Sequence, residues 1–99
     1  MKNLGRPIER EQSGNRGRYV VKLDDGAEAE MTFRETSPDT LTFDHTYVPP
    51  QHRGGAIALN LVEHGIADAR AAGKKVVPLC SYVALQFRRH PDWTDLLAD

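Results

Sequence analysis

The chain has 99 residues, of which 39% are hydrophobic, and this is enough for one compact domain but too little for two. Its 13 Lys plus Arg face 14 Asp plus Glu, for a formal net charge of −1, which argues against a protein that binds nucleic acid or a membrane surface through basic charge. One cysteine excludes an intrachain disulfide, no run approaches the ~18–20 apolar residues of a membrane span, and the N-terminus lacks the apolar segment of a signal peptide. We therefore predict a cytoplasmic protein, monomeric or weakly dimeric, without nucleic-acid or membrane partners.

The first half of the chain predicts a loose segment followed by strands. Residues 1–17 are rich in Gly, Asn, Ser and charge, which indicates loose order with room for an edge strand near Ile8, whereas residues 18–99 are expected to form the domain. Alternation with a period of two predicts strands, separated by turn residues, over 18–23, 27–34 and 40–48. We expect His45 to share the inward face of the third strand with Leu41 and Phe43.

The second half predicts two helices around a short strand. A helical pattern runs to about Ala72, with Ala58, Val62, Ile66 and Ala69 as its apolar stripe and Gly73 as its end. A strand over 76–80 follows, then a helix over 82–90 that Ser81 could cap, and a last turn anchored by Trp93 and Leu96. This order predicts an α+β fold, a mostly antiparallel twisted sheet in which a crossover helix joins two neighbouring parallel strands.

The stretch between the third strand and the first helix carries the chemistry. Gly54, Gly55, Ala56 and Ala58 place almost no side chain around the first turn, where backbone N–H groups lack partners and the helix dipole is positive. Arg53 adds a cation. These residues predict a phosphate or diphosphate site, although glycines at a helix start can also mark nothing more than a tight turn or close packing.

The spacing Gln51-x-x-Gly54-x-Ala56 resembles the Q/R-x-x-G-x-G/A signature of the GNAT superfamily of acyl-CoA N-acyltransferases. Together with residues 44–49, 76–83 and 89–91, it is similar to the small single-domain GNAT-like N-acetyltransferases, over about residues 18–93. The resemblance implies a GNAT-like fold whose fourth and fifth strands splay apart around the pantetheine arm of acetyl-CoA. The third strand counted above would be that fourth strand, and the missing earlier strand would lie in residues 5–12.

The resemblance also implies the site residues. It implies acetyl-CoA as co-substrate, bound by Thr46, Tyr47, Val48, Gln51, Arg53, Gly54, Gly55, Ala56, Ile57, Ala58 and Ser81. It draws attention to His45 and Cys80, which lie near the ends of the two splayed strands. Phe87 stands where many larger relatives have a tyrosine that acts as general acid, and Tyr82 is the only phenol near that position. His52 is expected to line the mouth of the coenzyme site. No two histidines have zinc-ligand spacing with the cysteine, so we expect no metal.

The leading hypothesis is an acetyl-CoA-dependent N-acetyltransferase that acts on a primary amine, either a protein lysine or a small amine. The transfer would be direct, with His45 as base, or would pass through acetyl-Cys80. Two simpler interpretations compete, since Cys80 can be a small buried hydrophobe and His45 a hydrogen-bonded core histidine. A second hypothesis is a non-catalytic coenzyme A-binding module for sensing or scaffolding. A third is an interaction domain that uses Trp93 and an exposed hairpin edge.

Overall fold

The computed structural model describes residues 7–98, which form a five-stranded sheet and two α-helices. In chain order the elements are β1 (Ile8–Ser13), β2 (Arg16–Lys22), β3 (Glu28–Ser37), β4 (Thr40–Tyr47), α1 (Ile57–Ala72), β5 (Lys75–Pro78) and α2 (Ser81–Arg89), with 3₁₀ turns at Pro50–His52 and Pro91–Leu96. The sheet order is β1-β2-β3-β4-β5, antiparallel except for the parallel β4–β5 pair. The predicted α+β class and the parallel strands around the crossover helix are confirmed.

The N-terminal part of the described chain is a hairpin. β1 is an edge strand paired with β2 from Ile8 to Ser13, at the position where the sequence left room for one. β2 begins at Arg16, two residues before the predicted strand. The rest of the predicted loose segment, residues 1–6, lies outside the described residues.

The hydrophobic core lies between one face of the sheet and the two helices. The buried cluster joins sheet residues to residues of both helices and of the last 3₁₀ turn, among them Tyr19, Met31, Phe33, Phe43, Leu61, Ile66, Val83, Phe87 and Trp93. Within residues 7–98, α1 and α2 therefore pack on the same face of the sheet. The opposite face carries polar side chains such as Arg18, Glu30 and Thr32, and we call it the open face.

The buried stripe of α1 differs from the prediction at its N-terminal end. Leu61 and Gly65 are buried together with Val62, Ile66 and Ala69, whereas Ala58 is only half-buried. A Cβ added to Gly65 would lie 2.7 Å from Met31 Cε and 2.9 Å from Phe43 Cζ. The helix lies close to the sheet at this glycine, which has no side chain to keep the two apart.

A bulge in β4 changes which side chains face the core. Phe33 pairs with Phe43 but Thr32 pairs with His45, so Asp44 is an extra residue on β4. Beyond the bulge Thr46 lies opposite the buried Met31, and His45 lies opposite Thr32 on the open face. The prediction that His45 shares the inward face with Leu41 and Phe43 is therefore wrong, because one inserted residue reverses the alternation.

The C-terminal segment covers the outer edge of β5. α2 begins at Ser81 with Cys80 as its N-cap residue and without a side-chain cap bond, so Ser81 is not the cap. Trp93 and Leu96 are buried anchors, as predicted, and the Trp93 ring stacks on His90 at 4.0 Å. Ala98 N–H donates to Val76 C=O at 2.9 Å.

Candidate functional site

β4 and β5 separate beyond the bulge. Their parallel pairing runs from Thr40 opposite Lys75 to Phe43 opposite Pro78, and Cys80 N–H adds one last bond to Phe43 C=O at 3.0 Å. Residues 44–47 of β4 then continue with β3 as their strand partner in the described chain. Because alternate backbone groups of a strand point to its two sides, this half of β4 directs N–H and C=O groups into the gap.

A cavity of about 440 Å³ lies at this gap, where β4 ends and α1 begins. Its wall consists of the end of β4, the loop that follows, the first turn of α1 and one residue of α2, namely Thr46, Tyr47, Val48, His52, Arg53, Gly54, Gly55, Ile57, Ala58 and Tyr82. Eight of the eleven residues predicted to bind the cofactor line it. Gln51, Ala56 and Ser81 are not part of this wall, while His52 and Tyr82 are.

The start of α1 is open to an anion. Its N-cap residue Ala56 makes no side-chain cap bond, and the first turn holds no acidic residue. The bond from Asn60 N–H to Ala56 C=O opens the helix, so the N–H groups of the preceding residues have no intrahelical acceptor. A Cβ built on Gly54 or Gly55 meets no heavy atom within 4 Å. This cradle of bare amides at the positive end of a helix suits a diphosphate.

Arg53 adds a positive charge beside this cradle. Its Nε donates to Val48 C=O at 2.7 Å, and its guanidinium carbon lies 5.8 Å from the centroid of the Tyr47 ring. Both contacts connect the loop to the end of β4, so the guanidinium is held against the cavity wall.

Gln51 contacts a distant turn instead of the cavity. Its Nε2 donates to Asp25 Oδ2 at 3.1 Å, and His52 Nε2 lies 2.9 Å from the same oxygen. These hydrogen bonds, from Gln51 first and His52 second, lower the pKa of Asp25 to about 2. No signal in the local sequence pairs residue 25 with residues 51 and 52.

The two predicted reactive residues lie on different sides of β4. His45 is exposed on the open face. Cys80 is half-buried, and its Sγ lies 3.5 Å from Thr46 Oγ1, on the side that faces α1. The thiol of Cys80 therefore contacts a neutral hydroxyl and not the His45 imidazole.

Tyr82 brings a phenol to the cavity. It lies in the first turn of α2, and burial is the main cause that raises its pKa above the ordinary value of 10.0. The hydroxyl therefore keeps its proton at neutral pH.

Within residues 7–98, no group of three or more His, Cys, Asp or Glu side chains is arranged to hold a metal ion. Neither helix has the length and apolar character needed to cross a bilayer.

Comparison with known proteins agrees with this geometry. A family model described as GCN5-related N-acetyl-transferase matches residues 18–96. The NMR solution structure of a GCN5-like candidate N-acetyltransferase from Staphylococcus aureus superposes with a TM-score of 0.69 and 22% identity, over 92% of this chain and 88% of the other. No curated protein sequence matches the chain. The structural likeness shows the shared fold, and the family match adds the functional class.

Proposed function

Because the chain belongs to the GCN5-related N-acetyltransferase family, it is an acetyltransferase, and we propose that it moves the acetyl group of acetyl-CoA to a primary amine. The observation that carries the proposal is the gap between β4 and β5, which opens onto the uncapped start of α1. Acetyl-CoA has a diphosphate in its middle and a thioester at one end. The gap offers bare amides for the first and reactive side chains for the second.

The diphosphate would lie on the first turn of α1. The space beside Gly54 and Gly55 is open, and the positive end of a 16-residue helix attracts an anion to the N–H groups there. Arg53 supplies a full charge at the same place. The pantetheine arm would then run along the unpaired edge of β4, where backbone groups can bond its amides.

The thioester would lie in the gap next to residues 46–48. A backbone N–H from this half of β4 is suited to hold the carbonyl oxygen as it gains negative charge. The half-buried walls, among them Thr46 and Tyr82, limit access of water and so strengthen that interaction.

Direct transfer assigns a role to His45. As a neutral imidazole it takes a proton from the ammonium acceptor, and the freed amine nitrogen bonds to the thioester carbonyl carbon. The carbon–sulfur bond breaks, the coenzyme A thiolate takes a proton from Tyr82, and the new amide loses its extra proton to water. His45 and Tyr82 then exchange protons with solvent, so one proton is released for each acetyl group transferred.

The covalent route gives Cys80 the first attack. Its sulfur would bond to the carbonyl carbon as the coenzyme A thiol leaves, and the amine would then displace Cys80 from the acetyl-thioester. The thiol lies 3.5 Å from the hydroxyl of Thr46, its hydrogen-bond partner. Because a hydroxyl is a poor base for a thiol, we favour direct transfer.

The open face favours an acceptor that approaches from outside. His45 and Tyr47 are exposed there, and within residues 7–98 both helices lie on the other face. A lysine side chain on a protein and a small amine can both reach His45 by this path.

Three variants test the mechanism, with coenzyme A thiol release measured against a panel of primary amines and lysine peptides. We expect His45→Ala to lower kcat by about 10²-fold or more, as for loss of a general base, and Tyr82→Phe to lower it less. Cys80→Ala should stay within a few-fold of wild type. His64→Ala, an exposed helix histidine, is the matched control.

Mass spectrometry separates the two routes. Wild-type protein mixed with acetyl-CoA alone should gain no increment of about 42 Da, the mass of an acetyl group, on Cys80. Such an adduct, together with an inactive Cys80→Ala variant, would replace the direct route by the covalent one. If acetyl-CoA binds but no amine is ever acetylated, the non-catalytic binding module is the better description.

A further inference from the structure

Asp25 lies in the turn between β2 and β3, 26 residues before Gln51. Its Oδ1 accepts a hydrogen bond from Ala27 N–H at 3.1 Å, which holds the carboxylate within its own turn. Its Oδ2 accepts from Gln51 Nε2 at 3.1 Å and lies 2.9 Å from His52 Nε2. One carboxylate therefore joins the hairpin to two consecutive residues of the 3₁₀ turn Pro50–His52.

The joined residues lead directly into the diphosphate cradle. His52 lines the cavity and is followed by Arg53, Gly54 and Gly55, which also line it. The side chain of His52 is 24% exposed, so its ring is held between the carboxylate and the cavity wall. Gln51, the first residue of the signature, has its amide bonded to Asp25.

Besides these bonds, the side chain of Arg53 connects the loop to the end of β4 through Val48 C=O and the Tyr47 ring. In its backbone, His52 N–H donates to Pro49 C=O at 2.9 Å and Arg53 N–H donates to Pro50 C=O at 3.3 Å. Residues 53–56 are all exposed. An exposed loop loses conformational freedom when a ligand orders it, and a side-chain anchor that orders it beforehand improves affinity.

Asp25 carries the same sign of charge as the diphosphate that the nearby cradle would bind. The carboxylate of Asp25 is ionised at every working pH, and a negative charge near a diphosphate weakens binding by repulsion. If Asp25 anchors the loop, removal of its side chain weakens coenzyme binding. If Asp25 acts only through its charge, the same removal strengthens binding.

We infer that Asp25 is a positioning residue for acetyl-CoA, which acts through Gln51 and His52 to hold the loop over residues 52–55 in the shape that receives the diphosphate. This inference rests on the proposed function. It gives the glutamine of the signature a task in this chain other than contact with the coenzyme.

The experiment measures Kd for coenzyme A by calorimetry, and KM and kcat for acetyl-CoA. Asp25→Ala should raise Kd and KM by roughly tenfold, the usual worth of a charged hydrogen bond, while kcat at saturating acetyl-CoA changes less than about twofold. Asp25→Asn keeps the shape of the side chain, and its amide oxygen can still accept from Gln51 and His52 without a negative charge. Its Kd and KM should lie between those of wild type and Asp25→Ala. Asp39→Ala is the matched control, because Asp39 also accepts a side-chain bond in a hairpin turn, that between β3 and β4, without contact to the loop.

A double-variant cycle shows whether Asp25 acts through the loop. Gln51→Ala with His52→Ala should itself raise Kd, and adding Asp25→Ala to that pair should change Kd no further. The cycle also decides the question if Asp25→Ala alone does not fold, since the paired variant and Asp25→Asn must then both weaken binding.

Two results would overturn the inference alone, with wild-type binding intact. One is coenzyme A binding to Asp25→Ala that is equal to or tighter than wild type. The other is a loss of affinity that persists in full when Gln51 and His52 are already alanine. Absence of coenzyme A binding by the wild type would instead overturn the proposed function, and this inference with it.

Discussion

The two halves of β4 differ in their strand partners and in their burial. Residues 40–43 pair with β3 on one side and β5 on the other, and Leu41 and Phe43 are 1% and 0% exposed. Within residues 7–98, residues 45–47 have β3 as their only strand partner, and residues 44–47 are half-buried or exposed. The bulge at Asp44 is the boundary. The first half is packed into the core, and the second half leaves one edge of its backbone without a strand partner in the described residues.

The largest effect is expected on stability, from a substitution in the first half of β4. Phe43→Ala removes a ring that packs edge-on against Tyr19, with ring centroids 6.2 Å apart, and that lies against α1 at Gly65. We expect the free energy of unfolding to fall by about 3–5 kcal/mol, measured by urea denaturation. Tyr47→Ala, in the second half where the side chain is 41% exposed, should cost less than about 1 kcal/mol. Similar losses of unfolding free energy in both variants would show that the two halves of β4 contribute equally to stability.

The next effect removes function from the second half without loss of stability. Gly55 has an ordinary backbone conformation and open space around it, whereas Gly54 has a φ of 91° that strains any substitution. Gly55→Glu should leave the melting temperature of the free protein unchanged. It should abolish the stabilisation by acetyl-CoA, which for wild type at ~100 times Kd is about 2.7 kcal/mol.

Gly55→Ala is the control for this thermal-shift measurement. A single methyl group enters open space and carries no charge, so most of the stabilisation by acetyl-CoA should remain. An undiminished shift in Gly55→Glu would place the diphosphate elsewhere.

The smallest effect is expected on the pH dependence of stability, through Asp25 and its bonds to Gln51 and His52. The pKa of Asp25 is about 2 in the folded protein and near 3.8 when unfolded, so the unfolded state binds its proton first as pH falls. The contribution of Asp25 to stability is therefore complete above about pH 4 and is lost as pH falls toward 2. Urea midpoints at pH 5 and pH 2.5 should differ less in Asp25→Asn than in wild type. An equal drop in both proteins would mean that the carboxylate adds nothing to stability.

The sequence predicted those parts of the site that depend on neighbours along the chain. The small residues from Gly54 to Ala58 lie at a helix start because Pro49 and Pro50 end the strand before them. The apolar anchors Trp93 and Leu96 are local in the same sense. The side chain of Gln51, a predicted cofactor residue, is bonded instead to a turn that no local pattern connects to it.

Strand periodicity and the small residues at a helix start follow steric rules that act over a few residues, so the sequence by itself determined most of the strands and helices and the uncapped start of α1. The direction of His45 depends on one extra residue in the register of β4 against β3, and the Asp25 anchor depends on groups 26 residues apart. Register and long-range contact are properties of the packed sheet, since the energy of burying Met31 and Phe43 selects the pairing and thereby turns His45 outward.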